Sequence, residues 1–548
     1  MAVDPILSKS RISSMVEQGF WSDQTLLHYF ENAVQKHPDQ LAIVDTNSET
    51  QQGTRISYRE LSEQVDQIAL ALINLGIQKQ DVVSFQLPNW WQFTAIHLAC
   101  LKVGAISNPL MPIFRQRELI YMLGFAESKL LIIPDQFRGH DFVAMMEDIR
   151  PDLPALRHIF AIGGQDDISF EKNLLQHDLK NKSDLTTELE KRTIGANDVI
   201  QLVYTSGTTG KPKGVMHTSN TILSAVHPLL KRLKLDSCDT LFMGSPLAHQ
   251  TGFLYGVIAP IVLQTKVALL DIWSAKQGWQ IIQQENASFT MASTPFLSDL
   301  VASPVAQESN SERFKTFVCG GAPIPRAIAR KANQDLNLNV ISVWGMSENG
   351  AVTSSCIEDD DEKIFNTDGK ALDGMEVRVI DTQGNLTPTG QEGLLQARGA
   401  FTFVGYLKQP QAYLLDADGW FDTGDLAKMD KDQYIRISGR TKDIIIRGGE
   451  NIPVVEVENL LYKHDAIQDV AVVAMPHERL GEIGCCFITL MDHCSLNFDE
   501  LKNYLAQQKL AKNYWPERLE ILNEIPRTPS GKIQKFQLRA LISNKGNE

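Results

Sequence analysis

Amphipathic helices alternate with short apolar runs of strand length along most of this chain, and that alternation constrains the fold more than any other feature. From Thr25, the apolar residues Leu26, Leu27, Phe30, Ala33 and Val34 recur at helical spacing, and His37, Pro38 and Asp39 lead into the apolar stretch 41–44. A second unit starts at Ser57. Ser57 and Glu60 have the spacing of a capping box, Leu61, Val65, Ile68 and Leu72 line one helical face, and Gly76 stands where a C-cap belongs. A strand-like run follows from Val82, and similar runs recur near Leu131, Ile200 and Val340. The pattern predicts an α/β fold of layered sheets with helices on their faces.

A chain of 548 residues is longer than one hydrophobic core usually supports, so at least two domains are expected. The polar stretches 165–193 and 303–313 read as surface insertions, because strand and helix patterns resume directly after each. Past Gly439 the texture changes: a helix near 454–462, strands at 470–473 and 487–490, and a helix at 501–507 suggest a compact α+β unit. The expected division is a large N-terminal domain, 1–439, and a small C-terminal domain, 440–548. There is no internal repeat.

The formal charge of −14 provides no net field to attract phosphate, which argues against a general affinity for nucleic acid or anionic membranes. The acidic run from Glu358 to Glu362 reads as a solvated loop rather than a metal cluster. Seven cysteines, two of them the adjacent pair Cys485 and Cys486, show no CxxC spacing and suggest reduced thiols. The N-terminus has no signal-peptide core, the C-terminus has no usual lipidation or peroxisomal signal, and no apolar run is long enough to span a bilayer. A cytoplasmic protein is expected, and the oligomeric state is left open.

The strongest local signal is the stretch from Tyr204 to Val215, directly after the apolar run at Ile200. Gly207, Gly210 and Gly214 let backbone approach a ligand, and the hydroxyls of Thr205, Ser206, Thr208 and Thr209 donate to anionic oxygens. Lys211 and Lys213 add charge. This is a phosphate cradle without the spacing of a Walker A loop.

The stretch resembles the signature of the adenylate-forming superfamily, which includes acyl-CoA synthetases, adenylation domains of nonribosomal synthetases and beetle luciferases. Further matches follow in the family's order: Gly320 to Pro323, Trp344 to Glu348, Trp420 to Asp425, Gly439 to Asp443 and Pro526 to Lys532. The resemblance covers essentially the whole chain. It implies that Lys213 and the loop, including Gly207 and Gly210, hold the departing pyrophosphate and that Glu348 coordinates Mg²⁺. It also implies that Ser347 touches the α-phosphate, that Trp344 and Gly345 lie on one side of adenine, and that Gly320, Gly321, Ala322 and Pro323 lie on the other. Asp425 then takes the ribose hydroxyls with Arg440 beside it, Lys442 is the hinge of the small domain, and Lys532 bridges the substrate carboxylate and the α-phosphate.

The resemblance names ATP, Mg²⁺ and CoA as the small molecules involved. Gly448 and Gly449 resemble the loop lining the pantetheine channel of CoA ligases, and no carrier-protein domain follows Lys532. For the acid, His249 falls in a segment similar to the one beside the family's acyl carboxylate. The presumed pocket stretches 269–273, 291–296 and 318–319 are mostly apolar or small and contain no Lys or Arg. A hydrocarbon acid fits, and the chain looks most like bacterial short- and medium-chain fatty acyl-CoA synthetases. Ligases for cyclohexanecarboxylate, carnitine or aromatic acids stay open at this point, as do a non-catalytic nucleotide-binding relative and a luciferase-like oxygenase.

Overall fold

A computed structural model describes residues 3–176, 187–205, 212–309, 311–321, 326–443, 445–447, 450–477, 479–508, 510, 512–528 and 531–545. The expected alternation becomes two mainly parallel sheets. The first runs, in spatial order, Lys370–Ala371, Gly350–Ser354, Asn339–Met346, Thr316–Cys319, Phe289–Ala292, Leu241–Met243, Val267–Leu269, Leu41–Asn47 and Gln52–Ser57. The second runs Lys213–Thr218, Val199–Thr205, Ile106–Pro109, Val82–Phe85, Leu130–Pro134 and His158–Ile162. Their central strands are buried on both faces, which is why the sequence shows continuous apolar runs there rather than strict alternation.

Helices Tyr58–Asn74 and Trp91–Val103 touch each other and help fill the space beside these sheets. The first has the full capping box, with Ser57 and Glu60 exchanging hydrogen bonds, and Gly76 follows its end at φ +77°. The second is apolar nearly all round and almost wholly buried. Its N-cap, Trp90, offers no side-chain bond. Asp45, from a neighbouring strand, accepts the Trp91 N–H at 2.6 Å and the Thr54 N–H at 3.2 Å instead. Burial pushes this carboxyl up to about 6.

A four-stranded antiparallel sheet, Met375–Ile380, Glu392–Gly399, Phe421–Met429 and Ile435–Arg440, completes the large domain. Arg440 is the last residue of that sheet. The sheet of the smaller C-terminal domain opens at Ile445–Arg447 and adds Glu450–Ile452, Ile467–His477, Gly481–Leu490 and Arg518–Ile521. Its two long strands extend well beyond the short runs read from the sequence. Cys485 and Cys486 point to opposite faces of one strand, each into a separate apolar cluster, and all seven cysteines are free.

The acidic run is mostly exposed, as the solvated reading expects, but its second half is helix rather than loop. Asp360 caps the helix Asp361–Asn366, Asp359 accepts the Tyr434 hydroxyl at 2.6 Å, and Glu358 pairs with Lys234. No group of residues that could hold a metal ion as a cluster occurs among the described residues, and no described helix is long and apolar enough to cross a membrane.

His97, in the buried helix, is bonded to Ser107 at 2.8 Å and packs edge-on to Phe253, and burial lowers its pKa to about 3. The unfolded chain binds a proton near pH 6.5 that the folded chain refuses, so stability falls as pH drops through that window. In urea unfolding followed by tryptophan fluorescence between about pH 6 and 4, His97→Phe should reduce that slope by about 1.4 kcal/mol per pH unit, the value of one proton.

Candidate active site

Strands Val199–Thr205 and Lys213–Thr218 pair antiparallel with Lys213 opposite Thr205, so the register closes the ends of the glycine-rich loop against each other. Ser206, Gly207, Thr208, Thr209 and Gly210 lie outside the described residues. Lys213 Nζ stands 4.7 Å from the centre of the Tyr406 ring, and the Tyr406 hydroxyl donates to Glu348 Oε1 at 2.9 Å. Glu348 is 7% exposed. Burial raises its pKa, while the Tyr406 hydrogen bond and the charges of Lys213 and Arg440 work the other way. Tyr406 was absent from the sequence reading. It sits in the stretch FTFVGYL, which reads as core.

Asp425 is the other buried carboxylate, at 4% exposure. Its Oδ2 accepts the Trp344 indole N–H at 2.9 Å, and its Oδ1 faces Arg440 Nε at 3.0 Å from the directly opposite register position. Trp344 is only 8% exposed, so its visible role is to hold Asp425 rather than to present an open face. Two of the expected nucleotide-side glycines are required by their own neighbours. A methyl group on Gly320 would lie 2.8 Å from the Val343 carbonyl, and one on Gly345 would lie 2.0 Å from the Gly350 carbonyl. Gly321 adopts φ +78° with open space around it, and Ala322 and Pro323 lie outside the described residues.

Ser347 is fixed through its carbonyl, which accepts the His217 Nε2–H at 2.7 Å. Burial lowers the His217 pKa to about 4, so the ring is neutral and its Nδ1 accepts from the Thr221 hydroxyl at 3.2 Å. His217 is a second residue that sequence reasoning missed. Its only signal is a histidine directly after the apolar pair Val215 and Met216.

The segment carrying His249 is held by Asn89, which donates to the carbonyls of Ser245 and Leu270 at 2.9 and 3.0 Å and accepts the Leu247 N–H at 2.8 Å. His249 precedes the short helix Gln250–Gly252 and accepts the Thr251 N–H at 3.4 Å. Its pKa falls to about 4, first through burial and then through the positive charge of Lys532. Lys532 arrives from the small domain on a tight turn. Gly531, at φ +82°, lies so close to the large domain that a methyl there would be 2.5 Å from Ser293 Oγ. The backbone of Lys442 forms part of the turn Thr441–Asp443, whereas Gly448 and Gly449 lie outside the described residues.

Comparison with known proteins agrees with this arrangement of two domains around a site. Residues 30–407 match the AMP-binding enzyme family and residues 456–532 match the AMP-binding enzyme C-terminal domain. The chain belongs to the AMP-binding enzymes. It is therefore an adenylate-forming, AMP-forming acid–thiol ligase. It is 36% identical to the medium-chain fatty-acid–CoA ligase of Escherichia coli K12 over all of this chain and 95% of that protein. It is 30% identical to the 2,3-dihydroxybenzoate-AMP ligase of Bacillus subtilis 168, over 96% of each. The ATP-bound structure of MatB from Rhodopseudomonas palustris superposes with a TM-score of 0.80 at 25% identity, over 95% of this chain and 100% of that one.

Trp344→Phe keeps most of the ring and deletes the N–H that Asp425 accepts. Losing a hydrogen bond to a charged group costs about 1.5–3 kcal/mol. The KM for ATP should rise roughly tenfold or more in steady-state assays, with the fold unchanged by circular dichroism.

Proposed function

We propose that this ligase activates a medium-chain fatty acid as its acyl-adenylate, releasing pyrophosphate, and then transfers the acyl group to CoA with release of AMP, in the cytoplasm. The observation that carries this reading is the approach of the Lys532 turn to the large domain: Gly531 lies against Ser293 and Pro295, and the positive charge of Lys532 helps keep the half-buried His249 ring neutral. Similarity at 36% identity to a medium-chain ligase supports the choice of acid. The nearby strands Val267–Leu269, Phe289–Ala292 and Thr316–Cys319 contribute side chains that are apolar or small.

In this reading, Lys532 lies between the carboxylate and the α-phosphate, lowering the repulsion between two anions that must meet. Lys213 and the loop after Thr205 take the charge that builds on pyrophosphate. A single buried carboxylate, Glu348, fits Mg²⁺, a cation that keeps much of its shell as water and phosphate oxygens. Such an ion supplies charge neutralisation when bound. Because Glu348 must be ionised to hold it and burial favours the protonated form, metal-dependent activity weakens on the acid side. Asp425 and Arg440 receive the ribose, and His217 fixes the Ser347 backbone beside the phosphates. The small domain is taken to begin past Arg440, to turn about Lys442, and to bring Gly448 and Gly449 to the pantetheine channel.

Incubation with ATP, Mg²⁺, CoA and acids of graded length should yield acyl-CoA and AMP by chromatography, with ADP excluded. Each methylene buried adds roughly 0.8 kcal/mol, so kcat/KM should climb to acids of about six to ten carbons and then break. A preference for aryl acids or carnitine would overturn the choice of acid while leaving the ligase class intact.

Lys532→Ala should slow single-turnover pyrophosphate release by about a hundredfold, the scale of losing one preorganised charge. Thioester formation from synthetic acyl-adenylate should change little. Lys442→Pro should impair the second step and spare the first.

A further inference from the structure

The turn that carries Lys532 closes on itself. Thr528 N–H donates to the Lys532 carbonyl at 2.7 Å, Gly531 N–H to the Thr528 carbonyl at 2.8 Å, and Lys532 N–H to Thr528 Oγ1 at 3.0 Å. These bonds fix its shape. Arg527 ties it to the body of the small domain. Arg527 donates from Nη1 to the Gly531 carbonyl at 2.5 Å, and from Nη2 and Nε to Asp469 Oδ2 at 2.5 and 3.1 Å. Asp469 belongs to the strand Ile467–His477 and also accepts the Tyr462 hydroxyl. The planar fork thus links the turn to the long edge strand Ile467–His477, an arrangement a lysine cannot reproduce.

The opposite side of the turn meets the large domain at the start of the helix Thr294–Ala302, where Gly531 lies against Ser293 and Pro295. Asp299 of that helix accepts the Trp273 indole N–H at 2.7 Å. Burial raises the Asp299 pKa, and the Trp273 bond and the positive charge of Arg527 act against it.

We propose that Arg527 is a positioning residue for adenylation: it fixes the Lys532 turn to Asp469, and so holds Lys532 over the acid where the turn meets the large domain. The inference rests on the roles assigned above to Lys532 and to the two domain poses. Arg527 touches no substrate. Its effect comes from placing Lys532, and a misplacement of about 1 Å in such a group costs on the order of a hundredfold.

The test compares pyrophosphate release in a single turnover with octanoate against CoA consumption from synthetic octanoyl-adenylate. Arg527→Gln should reduce the first by about a hundredfold, and Arg527→Lys should recover part of the loss, because charge returns without the fork. Asp469→Asn, at the far end of the fork, should reduce adenylation roughly tenfold, because the guanidinium loses its charged partner. All three should form the thioester from octanoyl-adenylate within about twofold of the wild type, since the turn is then away from the site. Equal losses in both half-reactions, or an Arg527→Gln enzyme with wild-type adenylation, would overturn the proposal. Should Arg527→Gln fail to fold, Asp469→Asn decides alone, and wild-type adenylation there overturns the proposal. Wild-type protein that releases no pyrophosphate with any acid would remove the ligase reading itself, an outcome distinct from an active enzyme indifferent to these substitutions.

Discussion

Keeping two carboxylates almost out of water is the constraint around which this site is organised. An ionised carboxylate buried alone is driven to take up a proton, and each of these two is answered by a different device. Asp425 has an indole N–H and a guanidinium on its two oxygens. Glu348 has a phenol on one oxygen, its own backbone N–H, and the charges of Lys213, over that phenol's ring, and Arg440. The first has a partner on each oxygen, and on the proposed reading it receives a sugar hydroxyl. The second has no guanidinium of its own among the described residues, and on the same reading a hard cation and its phosphates complete it.

Neither carboxylate could be held by local structure. The strand carrying Glu348 turns sharply between Met346 and Gly350, and Gly345 is there because the Gly350 carbonyl leaves no space for a side chain. The Ser347 backbone is pinned by His217 from another sheet. Asp425 sits across from Arg440 only because a shift in strand register between Leu426 and Ala427 sets that pairing. The site is therefore a property of how two sheets and an antiparallel four-strand layer meet, and it exists only when the large domain is whole.

What the sequence made legible was whatever nearest neighbours decide. The Ser57 and Glu60 cap, Gly76 after its helix and the apolar strands at Leu41, Val82, Leu131 and Ile200 are local matters of periodicity and turn chemistry, and the structure has them. The helix Trp91–Val103 escaped notice because burial on every side erases the polar face that would mark it, and its cap comes from Asp45 on a separate strand. The site shows the same division. Lys213, Glu348, Asp425, Arg527 and Lys532 stand in motifs, while Tyr406, His217, Asn89 and the Asp469 that holds Arg527 act by reaching across the fold. Such residues leave no spacing to read, because the partner that gives each its meaning is far away in the chain.

The pairing of Asp425 with Arg440 has a mechanical side. Arg440 is the last residue of its sheet, and Thr441, the first residue past it, is tied back by its hydroxyl to the Gly424 carbonyl at 3.1 Å. The rope that connects the two domains is thus knotted to the very strand turn that presents Asp425. A torque applied to the linker is felt first at that knot, and on the proposed reading a nucleotide sugar resting on Asp425 would stiffen the anchor against which the small domain pulls. That reading then needs no separate wire from nucleotide pocket to moving part, because Arg440 and Thr441, pocket wall and tether, are consecutive residues.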